Sequence, residues 1–160
     1  MVLKRDIRIL VLDDHEDILF ILEDFLQNEA RKVTTVSSGG AFRELMSQDG
    51  NFDVALVDIK LPDIEADEVI GMLKEKESFI QIIMITGNPS EDTAIEFLRK
   101  GVFDFIKKPF NLDYLEDRII KAAERKTLEE ENQAYVERIK AQNKQLEGQS
   151  GRLEHSIGDK

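Results

Sequence analysis

The sequence predicts an α/β fold in which helices cover both faces of a parallel β-sheet. Five short strand-like runs alternate with five segments whose apolar residues recur at helical spacing. The central run, residues 54–57, is apolar at four consecutive positions, which is typical of a strand buried on both faces. The segments between these elements are short, which favours right-handed strand–helix–strand crossovers.

The first part of the chain contains two strands and two helices. Residues 7–12 predict the first strand, and the apolar spacing within residues 15–28 predicts the first helix. A β-branched run at residues 33–36 predicts the second strand. Residues 37–40 form a loop and a helix N-cap, and residues 41–46 supply the apolar face of the second helix.

The alternation continues to the end of the fifth strand. The remaining strands are predicted at residues 54–57, 80–85 and 102–106. The remaining helices are predicted at residues 64–75, from a cap at Ser90 to Gly101, and from a cap at Asn111 onward. Pro62 prevents the third strand from continuing, and Gly101 suits the positive φ found after a helix C-terminus.

Polar side chains follow four of these strands. The flavodoxin-like strand order 2-1-3-4-5 is one common solution for such a sheet, and it places the carboxyl ends of strands 1, 3, 4 and 5 side by side. Those ends carry Asp13, Asp14, Asp58, Thr86 and Lys108. Three carboxylates in one crevice require a cation, and oxygen ligands suit Mg²⁺. A lysine and a hydroxyl on the opposite rim suit an anion, so the pattern indicates phosphoryl transfer.

The composition restricts the class of protein. A length of 160 residues fits one domain with an appendage, and the absence of cysteine excludes disulfides, thiolate catalysis and Cys-ligated zinc. Residues 125–160 contain seven basic and seven acidic side chains, so residues 1–124 carry the whole net charge of −11. This acidic body argues against direct nucleic-acid binding or a membrane partner. There is no membrane-length apolar run and no signal-peptide core, so we expect a cytoplasmic protein.

The residues at the strand ends resemble the receiver domain of two-component response regulators over about residues 5–124. The resemblance is carried by four motifs, namely Asp13-Asp14, Asp58, Thr86-Gly87 and Lys108-Pro109. It implies that Asp58 accepts a phosphoryl group from a sensor histidine kinase or a phosphotransfer protein. It also implies that the chain catalyses only its own phosphorylation and dephosphorylation and is not otherwise an enzyme.

The resemblance also implies a cofactor, Mg²⁺. Asp14 and Asp58 would ligate the ion directly, Asp13 through a water molecule, and Lys60 through its backbone carbonyl. The turn after Pro62 lacks the glycine that relatives often have there, although no pocket ligand is lost. His15 follows the aspartate pair and could approach the acidic pocket, but we favour a solvated side chain in the first turn of the helix.

The phosphoryl oxygens would be held by the Thr86 hydroxyl, the Gly87 amide and the Lys108 ammonium group. In relatives, the Lys108–Pro109 bond is cis and directs the lysine into the pocket. Phe105 matches the aromatic residue that works with the threonine as a switch. A strand aromatic is equally expected to be simple core packing, so both interpretations of Phe105 stay open.

Residues 125–160 predict a helical signalling linker. Alternating steps of four and three residues, the a/d spacing of a coiled coil, connect Leu128, Asn132, Tyr135, Ile139, Gln142, Leu146, Gln149 and Leu153. Three of these eight positions carry Asn or Gln, which favours a weak parallel coiled coil and leaves a single charged helix as the alternative. Glycines toward the end predict fraying after about residue 147. We therefore expect a homodimer through this helix, through the face of helix 4, strand 5 and helix 5, or through both.

Two other functions remain open at this point. One is a pseudo-receiver or coiled-coil adaptor that binds partners without phosphorylation. The other is an aspartyl-phosphate hydrolase acting on external substrates. Such a hydrolase would require a second aspartate two residues after the nucleophile, and Lys60 occupies that position.

Overall fold

The computed structural model describes residues 6–87 and 90–158, and within that part it describes no side chains at residues 91, 92 and 149–158. The chain forms one five-stranded sheet with the order β2-β1-β3-β4-β5. All neighbouring strands in the sheet run parallel. The strands are β1 (Ile7–Leu12), β2 (Arg31–Val36), β3 (Val54–Asp58), β4 (Gln81–Thr86) and β5 (Asp104–Lys107). The predicted fold class and strand order are confirmed.

Helices alternate with the strands along the chain. They are α1 (Glu16–Leu26), α2 (Gly39–Gln48), α3 (Ala66–Lys76), α4 (Glu91–Arg99) and α5 (Leu112–Gly158). Ser38 and Ser90 cap α2 and α4, because each side-chain oxygen accepts a hydrogen bond from a first-turn backbone amide. Asn111 caps α5 by accepting a bond from the Tyr114 amide at 3.0 Å. After α4, Gly101 has a φ of +90°, as its predicted place after a helix requires.

α3 and β5 each begin two residues later than their patterns predict. The sequence predicts α3 from residue 64, but Ile64 is buried against the start of α2 and the helix begins at Ala66. The sequence predicts the fifth strand from residue 102, but the Val102 amide bonds the carbonyl oxygen at residue 97 and helps to close α4. In both places the pattern assigns an apolar residue to the helix or strand, but that residue makes a tertiary or capping contact before the helix or strand begins.

Side chains alternate between the two faces of the sheet and build two apolar cores. Leu10 and Leu12 of β1 join the core beneath α2, α3 and α4. Ile9 and Val11 join the core beneath α1 and the first part of α5. β3 is buried at every position because helices cover both of its faces. Polar side chains at the end of β3 are therefore held on a rigid support.

The chain divides into two compact units, Met1–Lys126 and Thr127–Lys160. The first contains the sheet, α1 to α4 and the first part of α5, and the second contains the remainder of α5. The proposed receiver boundary near residue 124 stays a prediction. Fraying after about residue 147 also stays a prediction: the backbone is assigned as helical to Gly158, while side chains from 149 onward lie outside the described part. None of the described helices has the length and hydropathy of a membrane span.

Candidate functional site

The carboxyl ends of β1, β3 and β5 bring two buried carboxylates and a lysine into contact. Asp13 follows β1, Asp58 ends β3, and Lys108 follows β5. The Lys108 Nζ atom lies 2.6 Å from Asp13 Oδ2 and 3.2 Å from Asp58 Oδ2. Asp13 is 2% exposed and Asp58 is 5% exposed, so water screens these charges poorly. The lysine therefore offsets part of the negative charge that the sheet concentrates at this edge.

The same edge of the sheet offers a set of ligands for a metal ion. Ligand atoms of Asp13, Asp14, His15 and Asp58 all lie within 4.8 Å of one another. Asp14 and His15 are exposed, so an ion can reach the cluster from solvent. Carboxylate oxygens are the ligands that hard divalent cations prefer, and the chain contains no cysteine. The donor set fits a hard divalent cation such as Mg²⁺.

The two oxygens of Asp58 have different surroundings. The Lys60 amide donates a hydrogen bond to Asp58 Oδ1 at 3.0 Å, whereas Oδ2 faces the Lys108 ammonium group. Burial raises the pKa of Asp58, and the Asp13 charge adds to this rise, although the Lys60 amide and Lys108 oppose it. The folded chain thus disfavours the ionised form of Asp58, which lies beside the Lys108 ammonium group and the possible metal ligands.

Lys108 contacts the neighbouring strand ends through both its backbone and its side chain. Its backbone amide donates to the Thr86 carbonyl at 2.7 Å, and its bond to Pro109 is cis. Burial lowers the pKa of Lys108, but the hydrogen bond to Asp13 and the charges of Asp13 and Asp58 outweigh burial, so its pKa is raised. The side chain is consequently an ammonium group at neutral pH.

Thr86 and Phe105 lie on adjacent strands. Thr86 is the last residue of β4 and is 2% exposed, and Gly87 follows it at an exposed position. Phe105 is paired in register with Met84 and is partly buried against the core beneath α2, α3 and α4. Thr86 therefore stands at the same sheet edge as the carboxylates, while Phe105 is set back along β5. The switch role of Phe105 stays a prediction.

His15 contacts the acidic cluster, and its side chain is at the same time 62% exposed to solvent, as a solvated side chain is expected to be. Its Nδ1 atom lies 2.8 Å from Asp13 Oδ1, 3.2 Å from Asp14 Oδ1 and 4.0 Å from Asp58 Oδ2. The hydrogen bond to Asp13 and the negative charges of Asp13 and Asp14 raise the pKa of His15. The available signal was its position between the strand-end aspartates and the first turn of α1.

The loop after β3 is fastened to the start of α2 by Asp63. Its Oδ1 accepts a bond from the Gly39 amide at 2.8 Å, and its Oδ2 accepts one from the Gly40 amide at 3.2 Å. These bonds lower the pKa of Asp63, the Gly39 amide contributing most. A Cβ atom on Gly39 would lie 2.7 Å from the Ile64 Cβ, so this approach requires glycine. The loop that contains Lys60 thus has a fixed support on α2.

A protein-family comparison agrees with this geometry. The family model described as "Response regulator receiver domain" matches residues 9–120, which includes every strand-end residue discussed above. The chain belongs to the response regulator receiver domain family.

The receiver is also similar to curated proteins of the same kind. It is 32% identical over 103 residues to the response regulator SaeR of Staphylococcus aureus strain USA300. That match covers 64% of this chain and 44% of SaeR. The match to SaeR from strain NCTC 8325 has the same identity and coverage. The receiver chain thus spans less than half the length of these curated relatives.

Solved structures share the receiver fold. A CheY-like receiver domain protein from Methanospirillum hungatei JF-1 has a TM-score of 0.70 and 29% identity, covering 78% of this chain and 98% of that chain. A receiver domain protein from Clostridium thermocellum has a TM-score of 0.68 and 28% identity, covering 76% and 98%. A chain described as an adenylate cyclase from Rhodopirellula baltica has a TM-score of 0.74 and 28% identity, covering 82% and 98%.

Proposed function

We propose that this receiver takes a phosphoryl group onto Asp58 from a sensor histidine kinase or a phosphotransfer protein, and that Mg²⁺ assists the transfer. The observation that carries the proposal is the position of Asp58 Oδ2, which faces the Lys108 ammonium group inside a cluster of possible metal ligands. The chemistry stops at the receiver's own phosphorylation and dephosphorylation. Lys60 stands where an external hydrolase of this type would require a second aspartate, which disfavours that alternative.

Asp58 acts as the nucleophile in this reaction. Its Oδ2 forms a bond to phosphorus while the bond from phosphorus to the donor nitrogen breaks, and the nitrogen keeps the bonding electron pair. The Lys60 amide holds Oδ1, which leaves Oδ2 directed toward the incoming group. Both reactants are anionic, so the reaction depends on nearby positive charge to reduce their repulsion.

Lys108 supplies the positive charge that belongs to the chain. Its contacts to Asp13 and Asp58 place the ammonium group beside the oxygen that receives phosphorus. Asp13, Asp14, Asp58 and the Lys60 carbonyl would hold Mg²⁺, which would supply the remaining charge compensation when bound. Thr86 and the Gly87 amide lie at the neighbouring strand end, where they would donate to the new phosphoryl oxygens.

The phosphoryl donor would dock beside α1. An apolar groove opens next to Lys108, and it is lined by Ile18, Ile21 and Leu22 of α1 and by Pro109, Phe110 and Leu112 beyond β5. A helical partner surface seated there would bring its phosphohistidine close to Asp58. This placement supports a protein donor, because a small phosphodonor requires no apolar surface.

Phosphorylation would change dimerisation or partner binding. New hydrogen bonds from Thr86 to the phosphoryl group would favour one packing of β5 and Phe105, and so alter the face formed by α4, β5 and α5. In the second unit, exposed apolar side chains occupy the predicted coiled-coil positions, namely Leu128, Tyr135, Ile139 and Leu146. Pairing of this helix with a second copy would cover them.

The proposal is tested by intact-mass measurement and light scattering, with and without acetyl phosphate and Mg²⁺. Wild type is expected to gain one phosphoryl group and to change its mass in solution, whereas Asp58→Asn gains none. The matched control is Asp24→Asn, an exposed aspartate on α1, which is expected to behave as wild type. If no donor or cation modifies the wild-type chain, the phosphoacceptor proposal is wrong and an adaptor that binds without phosphorylation explains the chain better.

A further inference from the structure

We propose that His15 is a direct nitrogen ligand of the cation in the acidic pocket and shifts the pocket's preference from Mg²⁺ toward transition ions such as Mn²⁺. The inference rests on the proposed function only in requiring that the pocket bind a divalent cation. It adds a ligand of a different chemical type to the three carboxylates, and with it a basis for choosing between metals.

The distances suit a shared coordination sphere. In an octahedral site with ligand bonds of about 2.1 Å, neighbouring ligand atoms are about 3 Å apart and opposite ones about 4 Å apart. The His15 Nδ1 atom lies 2.8, 3.2 and 4.0 Å from oxygens of Asp13, Asp14 and Asp58 respectively. The nitrogen is therefore spaced from these oxygens as a fellow ligand would be.

Lys108 and His15 approach different oxygens of the Asp13 carboxylate. Lys108 contacts Oδ2 of both Asp13 and Asp58. The His15 ring nitrogen instead contacts Oδ1 of Asp13 and Oδ1 of Asp14. The imidazole thus lies on the outer, solvent-facing side of the carboxylates, whereas the ammonium group lies on the inner side. A cation entering from solvent would meet the imidazole and the Asp14 carboxylate together.

The chain presents this imidazole in a defined place. The His15 amide donates to Asp13 Oδ1 at 2.8 Å, which ties the backbone at the start of α1 to the carboxylate cluster. The side chain is 62% exposed, so its ring can adjust to an ion without repacking the core. A fixed backbone with an adjustable ring suits a ligand that completes a partly formed site.

Ligand type provides the selectivity. Mg²⁺ binds oxygen almost exclusively, whereas first-row transition ions also accept imidazole nitrogen. A pocket of carboxylates alone would distinguish Mg²⁺ from Mn²⁺ weakly. Adding one imidazole raises the affinity for Mn²⁺ while leaving that for Mg²⁺ nearly unchanged.

The test uses the full chain with Mn²⁺ alone as the probe, at one pH above the usual titration range of histidine. Pulsed electron paramagnetic resonance detects a nitrogen bound directly to Mn²⁺ through its ¹⁴N modulation. The chain has two histidines, so His155→Ala is the matched control and is expected to keep the ¹⁴N signal of wild type. His15→Ala and His15→Gln are expected to lose it.

Affinity provides the second readout. Titration with Mn²⁺ and competition with Mg²⁺ should show the Mn²⁺ to Mg²⁺ preference falling about tenfold in both His15 variants and staying unchanged in His155→Ala. Bound Mn²⁺ without ¹⁴N modulation in wild type would overturn the role of His15 and leave the receiver's cation site intact. Failure of wild type to bind either ion would overturn both the inference and the metal part of the proposed function.

Discussion

The surroundings of the Asp58 side chain disfavour its ionised form. It is 5% exposed, and Lys108 contacts it at 3.2 Å while lying closer to Asp13 at 2.6 Å. Burial and the Asp13 charge raise the pKa of Asp58. A reactive carboxylate of this kind lowers the stability of the free chain, because the same desolvation that favours reaction with a cation and a phosphoryl group opposes its charge.

We predict that Asp58→Asn stabilises the metal-free chain. The substitution removes one of the buried negative charges and leaves Lys108 its contact with Asp13, so the free energy of unfolding should rise by about 1 kcal/mol at neutral pH. Urea unfolding in EDTA measures this, with Asp24→Asn as the exposed control. An unchanged or lower urea midpoint for Asp58→Asn would contradict the account of this carboxylate.

The difference in the free energy of unfolding between Asp58→Asn and wild type depends on pH, and the pKa of Asp58 gives its sign. The folded-state pKa of Asp58 is raised above its unfolded value, so the folded state binds the proton more tightly. Stability is therefore lost as pH rises through the interval between the unfolded and folded pKa values. The advantage of Asp58→Asn should be largest at neutral pH and should shrink as pH falls through the folded pKa.

At the scale of secondary-structure elements, a buried ion pair joins α5 to the start of β3. Lys126 Nζ lies 3.0 Å from Asp53 Oδ1, and the two side chains are 3% and 7% exposed. Asp53 Oδ2 accepts a bond from the Arg8 amide of β1 at 2.7 Å. Glu77, directly after α3, lies 3.8 Å from the same lysine. One side chain of α5 is thereby connected to three other elements at the end of the sheet opposite the acidic pocket.

We predict that breaking this pair is costly and that removing both charges is less so. Lys126→Met removes a buried cation that lies 3.0 Å from Asp53 Oδ1, and it should lower the free energy of unfolding by about 3 kcal/mol. Adding Asp53→Asn keeps an acceptor for the Arg8 amide and should recover at least about 1 kcal/mol of that loss. A double-mutant cycle measured by urea unfolding gives the coupling.

Lys121→Met is the matched control for the Lys126 prediction. Lys121 belongs to the same helix, but its ion pair with Asp117 is exposed on both sides, at 56% and 55%. Its loss should change the free energy of unfolding by less than about 0.5 kcal/mol. Equal effects of the two lysine substitutions would show that burial of the Lys126 pair has no energetic consequence.

At the scale of the whole molecule, the helix after Lys126 is expected to be the output of the receiver. Its exposed apolar positions follow the a/d spacing, but polar residues such as Asn132 and Gln142 lie between them. Buried polar residues at these positions reduce the stability of a coiled coil and specify its register. Such a composition favours association that is weak enough to respond to phosphorylation.

We predict that the triple variant Tyr135→Ala, Ile139→Ala and Leu146→Ala is monomeric. Alanine keeps the helix propensity and removes the apolar area that pairing would bury, so the dimer Kd should weaken by at least about 100-fold. Analytical ultracentrifugation with acetyl phosphate and Mg²⁺ measures this. The control is Lys140→Ala with Lys144→Ala, two exposed residues off the seam. Equal association of the two variants would place the dimer contact elsewhere.

The sequence by itself determined the fold and the residues at the edge of the sheet. Helical and strand periodicities are local properties, and the rules for parallel crossovers then permit few arrangements. Because strand ends meet at one edge, the sequence predicts Asp13, Asp58 and Lys108 together, and Lys108 Nζ lies within 3.2 Å of an oxygen of each carboxylate. The bounds of α3 and β5 were less accurate, because single contacts made by Ile64 and Val102 displace them.

Only the tertiary structure decided which polar side chains pair. His15 turns toward the carboxylates, Asp63 accepts a hydrogen bond from the first amide of α2, and Lys126 reaches Asp53 across the base of the sheet. No periodicity encodes these contacts, because the polar character of each side chain suits solvent equally well. Asp63 and Lys126 also contact residues that are distant in the chain. The physical reason is that the energy of a charge or a polar group depends on its burial and on the atoms around it. Both are fixed only when the helices pack on the sheet.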